Sequence, residues 1–206
     1  FELIDASMYD SMRVKDENSD VDRGMALHKM SRLATIATAG HGYLNFIGNE
    51  FGHPEWIDFP REGNNWSYHH ARRLWRLRDD PSLKYHFLAD FDRAMVELVR
   101  EHRLIENAPP RQMKTNEDDK VIVMERAGLF FLFNWHPQKS LSDYPVRVPP
   151  GEYKLLMDTD ERRFGGHARI EPGQSYFTQY CVASNAKEDR ICVYLPCRTA
   201  IVIRKM

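Results

Sequence analysis

No run of consecutive apolar residues in this chain approaches the ~20 that a membrane-spanning helix needs, and no basic-then-apolar leader stands at its head. The chain is therefore expected to be soluble and, with Phe1 rather than a methionine in first place, to be cut from something longer. Cysteine is scarce: Cys181, Cys192 and Cys197 are odd in number and form no C-x-x-C pair, which points to reduced thiols in a cytosol-like compartment rather than a disulfide framework. Charge of one sign is missing too. A formal net charge of -1 offers no global attraction to nucleic acid or to an anionic membrane, so neither is expected as a partner. There is no G-x-S-x-G, no G-x-G-x-x-G and no Walker sequence, which removes nucleophile-elbow, dinucleotide and phosphate-loop chemistries. Repeats and low-complexity tracts are likewise absent. A hydrophobic content of 42% in 206 residues is enough for a real core, in one large domain or, as preferred here, two small ones.

The first half reads as helix, strand, helix. Phe1, Leu3, Ile4, Met8 and Met12 have roughly helical spacing, and a clearer helix follows, capped by Ser19 or Asp20, with Val21, Met25, Met30, Leu33, Ala34 and Ala37 on one face. Gly40 and Gly42 end it, and Tyr43 to Ile47 reads as a strand apolar on both faces, as in a buried parallel sheet. Tyr68 to Leu77 suggests a short helix. A long one follows, with Asp80 as cap, Pro81 in its first turn, and Leu83, Phe87, Phe91, Met95, Leu98 and Val99 as its stripe. The Pro-containing, charged segment 106–119 is expected to be a linker between a unit at 1–105 and one at 120–206. Beyond it, Val121–Met124, Leu129–Phe133, Tyr153–Met157, Tyr176–Tyr180, Ile191–Leu195 and Ala200–Ile203 read as short strands of an antiparallel sandwich.

Between the two grammars lies the densest chemistry. The stretch from Asn45 to Trp66 combines carboxylates, amides and His53 with Phe51, Trp56, Phe59 and Trp66. Amides and acids supply paired donors and acceptors while flat rings cover C–H faces, which is what a polyhydroxylated sugar ring requires. Glu50, Glu55, Asp58 and Glu62 invite a paired-carboxylate glycoside mechanism, against which stands the plainer reading of loop acids bonding backbone amides and Arg61. Glu50, His53 and Glu55 match no metal-ligand spacing, and neither a metal nor a cofactor is expected. Arg72, Arg73, Arg76 and Arg78 around Trp75 read as a solvated helix face partly paired with loop acids, and adjacent His69 and His70 would point to different sides of a helix.

Several blocks carry a family likeness. Gly-Asn-Glu-Phe-Gly-His-Pro-Glu-Trp and Phe-Pro-Arg-Glu-Gly-Asn-Asn-Trp-Ser-Tyr, within 45–68, closely resemble the strand and loop that close the catalytic barrel of 1,4-α-glucan (glycogen or starch) branching enzymes, in the α-amylase superfamily. Asp22-Arg23-Gly24 with His28-Lys29-Met30, Ala71-Arg72-Arg73 and the run from Asp79 to Met95 are similar to the family's last barrel helices; Phe133-Asn134, Phe164-Gly165-Gly166 and Arg198-Thr199-Ala200 are similar to its C-terminal β-domain. The segments Ile105–Glu117 and Cys181–Asp189 depart from the pattern.

The resemblance implies an α+β fold: the last helix–strand–helix portion of a (β/α)₈ barrel, then an all-β antiparallel sandwich. It also implies a parent that works by retaining double displacement, with an aspartate nucleophile, a glutamate acid and a glucan 6-hydroxyl as acceptor. The motifs that supply those carboxylates precede the residue matching Phe1, so no catalytic residue is expected here and the chain alone is expected to be inactive. Asn49, Glu50, His53 and Trp66 are instead expected to shape or contact an α-glucan at the barrel rim. The missing N-terminal part of the barrel would be a partner, and without it the chain is expected to self-associate through uncovered apolar faces. A cytoplasmic location is expected, or a plastid in a starch-storing source. The rival expectation is a non-catalytic glucan-binding module with Trp135 and Tyr144 as sugar platforms.

Overall fold

The fold is described from a computed structural model, for residues 4, 7–107, 109–183 and 186–206. Its frame is the hairpin of β2 (Val121–Arg126) and β3 (Leu129–Asn134), joined by Ala127 and Gly128. Both turn residues have positive φ, 50° and 77°, the left-handed backbone that matches a two-residue loop to the twist of its strands. Six strands form one antiparallel sheet in the order β1-β2-β3-β9-β5-β6, with β1 at Arg111–Asn116, β5 at Glu152–Asp158, β6 at Ser175–Phe177 and β9 at Thr199–Lys205. A second antiparallel sheet runs β4-β8-β7, from Leu141–Arg147, Ala186–Leu195 and Gln179–Ala183.

The alternation of side chains along β3 and β9 explains how the layers stack. Phe130, Leu132, Ile201 and Ile203 join Tyr144, Val146, Ile191, Val193 and Leu195 between the two sheets. Their neighbours Phe131, Phe133, Ala200 and Val202 point the other way and pack against Met30, Leu33, Ile36, Phe91, Met95 and Leu98. Every residue of β3 is buried because both faces are covered, one by a sheet and one by helices. At about 1.5–3 kcal/mol for each fully buried large apolar side chain, this second face holds the helical layer to the sandwich.

The helical layer is α2 (Ser19–Thr38) and α4 (Tyr85–His102), with short helices α1 (Ser7–Asp10), α3 (Trp75–Asp79) and α5 (Leu104–Asn107). Asn18, not Ser19 or Asp20, caps α2: its side-chain oxygen accepts from the amides of Asp20 (2.9 Å) and Val21 (3.2 Å). α4 starts later than Asp80-Pro81 suggests. Asp80 instead accepts from the amide and hydroxyl of Ser82, and residues 82–84 are drawn into a short extended pairing with the segment after α1. There the Val14 amide donates to Ser82 O (2.8 Å) and the Lys84 amide to Met12 O (2.7 Å). The helix expected over Tyr68–Leu77 is reduced to α3, which begins at Trp75.

Further expectations are corrected. Tyr43–Ile47 forms no strand, and Leu44 is 89% exposed: among the described residues no neighbouring strand offers it a hydrogen-bonding ladder, without which an apolar segment stays an extended connection. The segment expected to be a linker contains β1, an edge strand too polar to betray itself by apolar periodicity. Strand β4 was not expected at all, since Pro145 interrupts its pattern; an edge strand tolerates proline because one side of its ladder is free. Tyr176–Tyr180 divides into β6 and β7, which belong to different sheets; residues 184 and 185 of the divergent segment lie outside the described residues.

Candidate functional site

Gly48 opens the site. Its φ of 84° turns the chain into a one-turn 3₁₀ helix, Asn49–Phe51, and a Cβ there would lie 2.3 Å from the Cβ of His53, so only glycine fits. Gly52, at φ 70°, ends the turn. Phe51 is driven fully inside, against His53 and Trp75. This burial anchors a loop in which Asn49 is exposed while Asn45, Glu50 and His53 are half-buried.

Glu50 is held from two sides. Asn45 Nδ2 donates to its Oε2 (3.2 Å), and Arg73 Nε lies 3.3 Å from its Oε1. Asn45 is itself fixed by Arg32 of α2, whose Nη1 donates to Asn45 Oδ1 (3.2 Å), whose other nitrogen pairs with Asp92 of α4, and whose guanidinium lies over the Tyr43 ring. Burial raises the Asp92 carboxyl above its ordinary value, and Arg32 only partly offsets it. Both long helices therefore set the place of Glu50. His28, also on α2, donates from Nε2 to Asn49 O (2.9 Å); burial, with Arg32 nearby, lowers its pKa to about 4, so the ring is neutral at pH 7.

His53 has both ring nitrogens occupied. Nε2 accepts from the Leu74 amide (3.1 Å), which places the ring hydrogen on Nδ1, 3.2 Å from Glu55 O. It staples two parts of the loop together and has no lone pair left for a metal. Asn49 keeps its side chain exposed, with a donor and an acceptor for a ligand. Under this surface lies a cavity of about 130 Å³ lined by Met8, Met12, Met25, His28, Asn49 and His53, whose methionines suit packing more than hydroxyl recognition.

Trp66 stands apart. Its amide donates to Arg61 O (3.0 Å) with φ at 57°, and its ring is 66% exposed in a turn that also displays Tyr68. Trp56, at 79%, and Phe59, at 51%, are exposed as well. Asp58 is clamped by Arg61 (2.9 Å) and Asn64 (3.0 Å), which hold its carboxyl below the usual range. The structure thus brings Asn49, Glu50 and His53 into one unit and leaves Trp66 outside it. Asn45 and Arg73 were within blocks already singled out; Arg32 and Asp92, 60 residues apart, gave no local signal.

The arginines near Trp75 are partly paired. Arg73 and Arg78 lie over its ring at 5.1 and 4.9 Å, and Arg78 also pairs with Asp79. His69 and His70 occupy a turn rather than a helix, so their rings do meet, edge to face at 4.5 Å. Tyr144 cannot serve as a sugar platform, for it is 5% exposed, with Lys114 Nζ 4.1 Å from its ring centroid. Trp135 is half-buried and stacked on Phe133.

Residues 113–205 match the family model "Alpha amylase, C-terminal all-beta domain". The chain is 48% identical to a 1,4-alpha-glucan-branching enzyme of Dictyostelium discoideum and 45% identical to one of Felis catus, in each case over 100% of this chain and 30% of the relative. The likeness to branching enzymes runs the whole length of the chain. A branching enzyme of Emericella nidulans is 48% identical over 98% of the chain and 30% of its own length. The chain thus spans about 30% of the length of the curated relatives it matches. Among solved structures, a debranching enzyme from Nostoc punctiforme covers 88% of this chain and 31% of its own at 14% identity and a TM-score of 0.54, a likeness of fold. None of the described helices is long and apolar enough to cross a membrane.

Proposed function

We propose that this chain is the C-terminal part of a branching enzyme whose whole protein moves α-1,4-linked glucan segments onto a glucan 6-hydroxyl, and that its own share of the work is to hold the glucan. The observation that carries the reading is 45–48% identity across the chain to relatives named 1,4-alpha-glucan-branching enzyme. Asn49 and Glu50 offer hydrogen bonds to sugar hydroxyls, His53 keeps their loop in shape, and Trp66 with Trp56 and Tyr68 offers flat faces for sugar C–H surfaces. Bond breaking falls to carboxylates of the parent outside these residues. Glu50 is already engaged by Asn45 and Arg73, and Asp58 by Arg61 and Asn64, which favours positioning over catalysis for both.

In this reading α2, the extended segment 39–47 and α4 are the last portion of a (β/α)₈ barrel within 1–105, and the β-domain begins with β1, inside the segment 106–119 expected to be a linker. The exposed apolar side chains of Leu44 and Phe46 support it, since a strand apolar on both faces fits a closed sheet better than open water. The rest of the parent would cover them; in isolation a second copy would. The compartment is cytoplasmic, or a plastid where starch is stored.

A non-catalytic glucan-binding module is the second reading, favoured by the exposed rings of Trp56, Trp66 and Tyr68 rather than by Trp135 or Tyr144. Affinity electrophoresis in glycogen-containing gels, beside iodine-stain and reducing-end assays on amylose, tests both. Retarded migration without branching is expected for the chain alone, and Trp66→Ala or Asn49→Ala should reduce the retardation. Branching by the purified chain would show that its own acids are catalytic; unretarded migration would remove the glucan-holding role.

A further inference from the structure

Arg126 ends β2 and is fully buried, although a guanidinium is among the costliest groups to take out of water. Its fork is spent on backbone carbonyls from the helical layer. Nε donates to Leu104 O (2.8 Å), Nη1 to Ile36 O (3.0 Å) and Ala39 O (2.6 Å), and Nη2 to Gly40 O (3.2 Å). Ile36 and Ala39 belong to the last turn and cap of α2, where carbonyls lack partners inside the helix and the dipole is negative; Leu104 lies just past the end of α4. The stem of Arg126 is equally fixed, since Arg126 pairs with Leu129 across the two-residue turn of the β2–β3 hairpin.

We propose that Arg126 is a positioning residue, through which the sandwich sets the place of segment 39–53 and hence of Asn49 and Glu50. The path is short. Gly40 is gripped by Arg126, Tyr43 lies under Arg32, Asn45 accepts from Arg32, and Asn45 in turn donates to Glu50. A lysine has a single nitrogen and cannot span the end of α2 and Leu104 together, while a methionine fills the volume and leaves the carbonyls without a donor. The role of the β-domain is then to fix loop geometry as well as to add surface. Only the glucan arm of the test below rests on the function proposed above.

The experiment is hydrogen exchange on this chain as wild type, Arg126→Lys and Arg126→Met, with glycogen-gel retardation run in parallel. Amides in 39–53 should exchange about tenfold faster or more in both variants, while those of β3 and β9 change by less than about threefold. Retardation should weaken in step with the loop. Unchanged exchange in 39–53, or equal acceleration of β3 and β9, would overturn the proposal and leave Arg126 a general stability determinant. If Arg126→Met does not fold, Arg126→Lys decides by the same comparison. A wild-type chain that glycogen does not retard would refute the glucan reading, while the exchange data still decide the role of Arg126.

Discussion

Replacing Gly48 and Gly128 by alanine, one at a time, separates two costs that usually arrive together. Both glycines have positive φ, 84° and 77°, so each alanine incurs about 1–2 kcal/mol of left-handed backbone strain. They differ in what the new methyl meets. At Gly128 there is nothing within 4 Å, whereas at Gly48 it would lie 2.3 Å from the Cβ of His53 and 2.9 Å from its Cγ. A carbon–carbon contact needs about 3.5 Å or more, so His53 must move by more than an ångström, and its 3.1 Å bond from the Leu74 amide cannot survive. Overpacking adds about 1–3 kcal/mol and the lost hydrogen bond about 1 kcal/mol, for a total near 3–6 kcal/mol against 1–2 at Gly128. Urea midpoints give the two totals, and exchange of the Leu74 amide gives the local event. Gly48→Ala should accelerate that amide sharply and Gly128→Ala should leave it alone. Equal destabilisation by the two, within about 0.5 kcal/mol, would refute the claim that His53 locks the loop.

Other consequences follow from burial and charge. Asp158 is buried, one of its oxygens has no partner, and its pKa is raised to about 7; its native form therefore holds more protons than the unfolded chain between about pH 4 and 7, and stability falls as pH rises through that window. His28, lowered to about 4, acts in the opposite sense between pH 4 and 6.5, losing stability as pH falls. Wild-type stability should therefore be nearly flat there, and Asp158→Asn should gain up to about 2–4 kcal/mol at pH 8 and reveal the falling acid limb of His28; an unchanged pH profile in denaturant titrations would refute this. Lys29, whose ammonium donates to Phe164 O (2.8 Å), has its pKa lowered by burial to about 8, so stability should rise between about pH 8 and 10.5 and Lys29→Met should remove that slope. Phe130→Ala and Phe131→Ala should each cost about 3–5 kcal/mol, but only Phe131→Ala should loosen α2 and α4 in hydrogen exchange, because the two rings lie on opposite faces of β3.

What was legible in the sequence divides by the range of the forces involved. The hydrophobic strands of the sandwich and the stripe of α4 are local patterns and could be read directly. The loop of the candidate site was legible as a composition, and Gly48 and His53 stood within it, but the contact that makes them one unit was not. Edge strands β1 and β4 escaped because their exposed faces and Pro145 blur the alternation. Tyr43–Ile47 misled in the opposite way: its residues have strand character, yet pairing belongs to the neighbours and not to the segment.

The hardest features to foresee are the buried charges, and they are also the ones that join the layers. Arg126 reaches from β2 to Ile36, 90 residues away, and Arg32 reaches across to Asp92. Lys29 lies against Phe164, 135 residues on. A lysine or arginine in a helical pattern reads by default as solvent-facing, because burial without partners would be prohibitive. Here the partners are backbone carbonyls at helix and turn ends or an acid on another helix, and such partners leave no mark in the local sequence. The same contacts fix the helical layer against the sheet and the site loop against the helices. The residues that give this loop its geometry therefore lie mostly outside it, and substitutions at Arg32 or Arg126 should alter the loop without touching any ligand it holds.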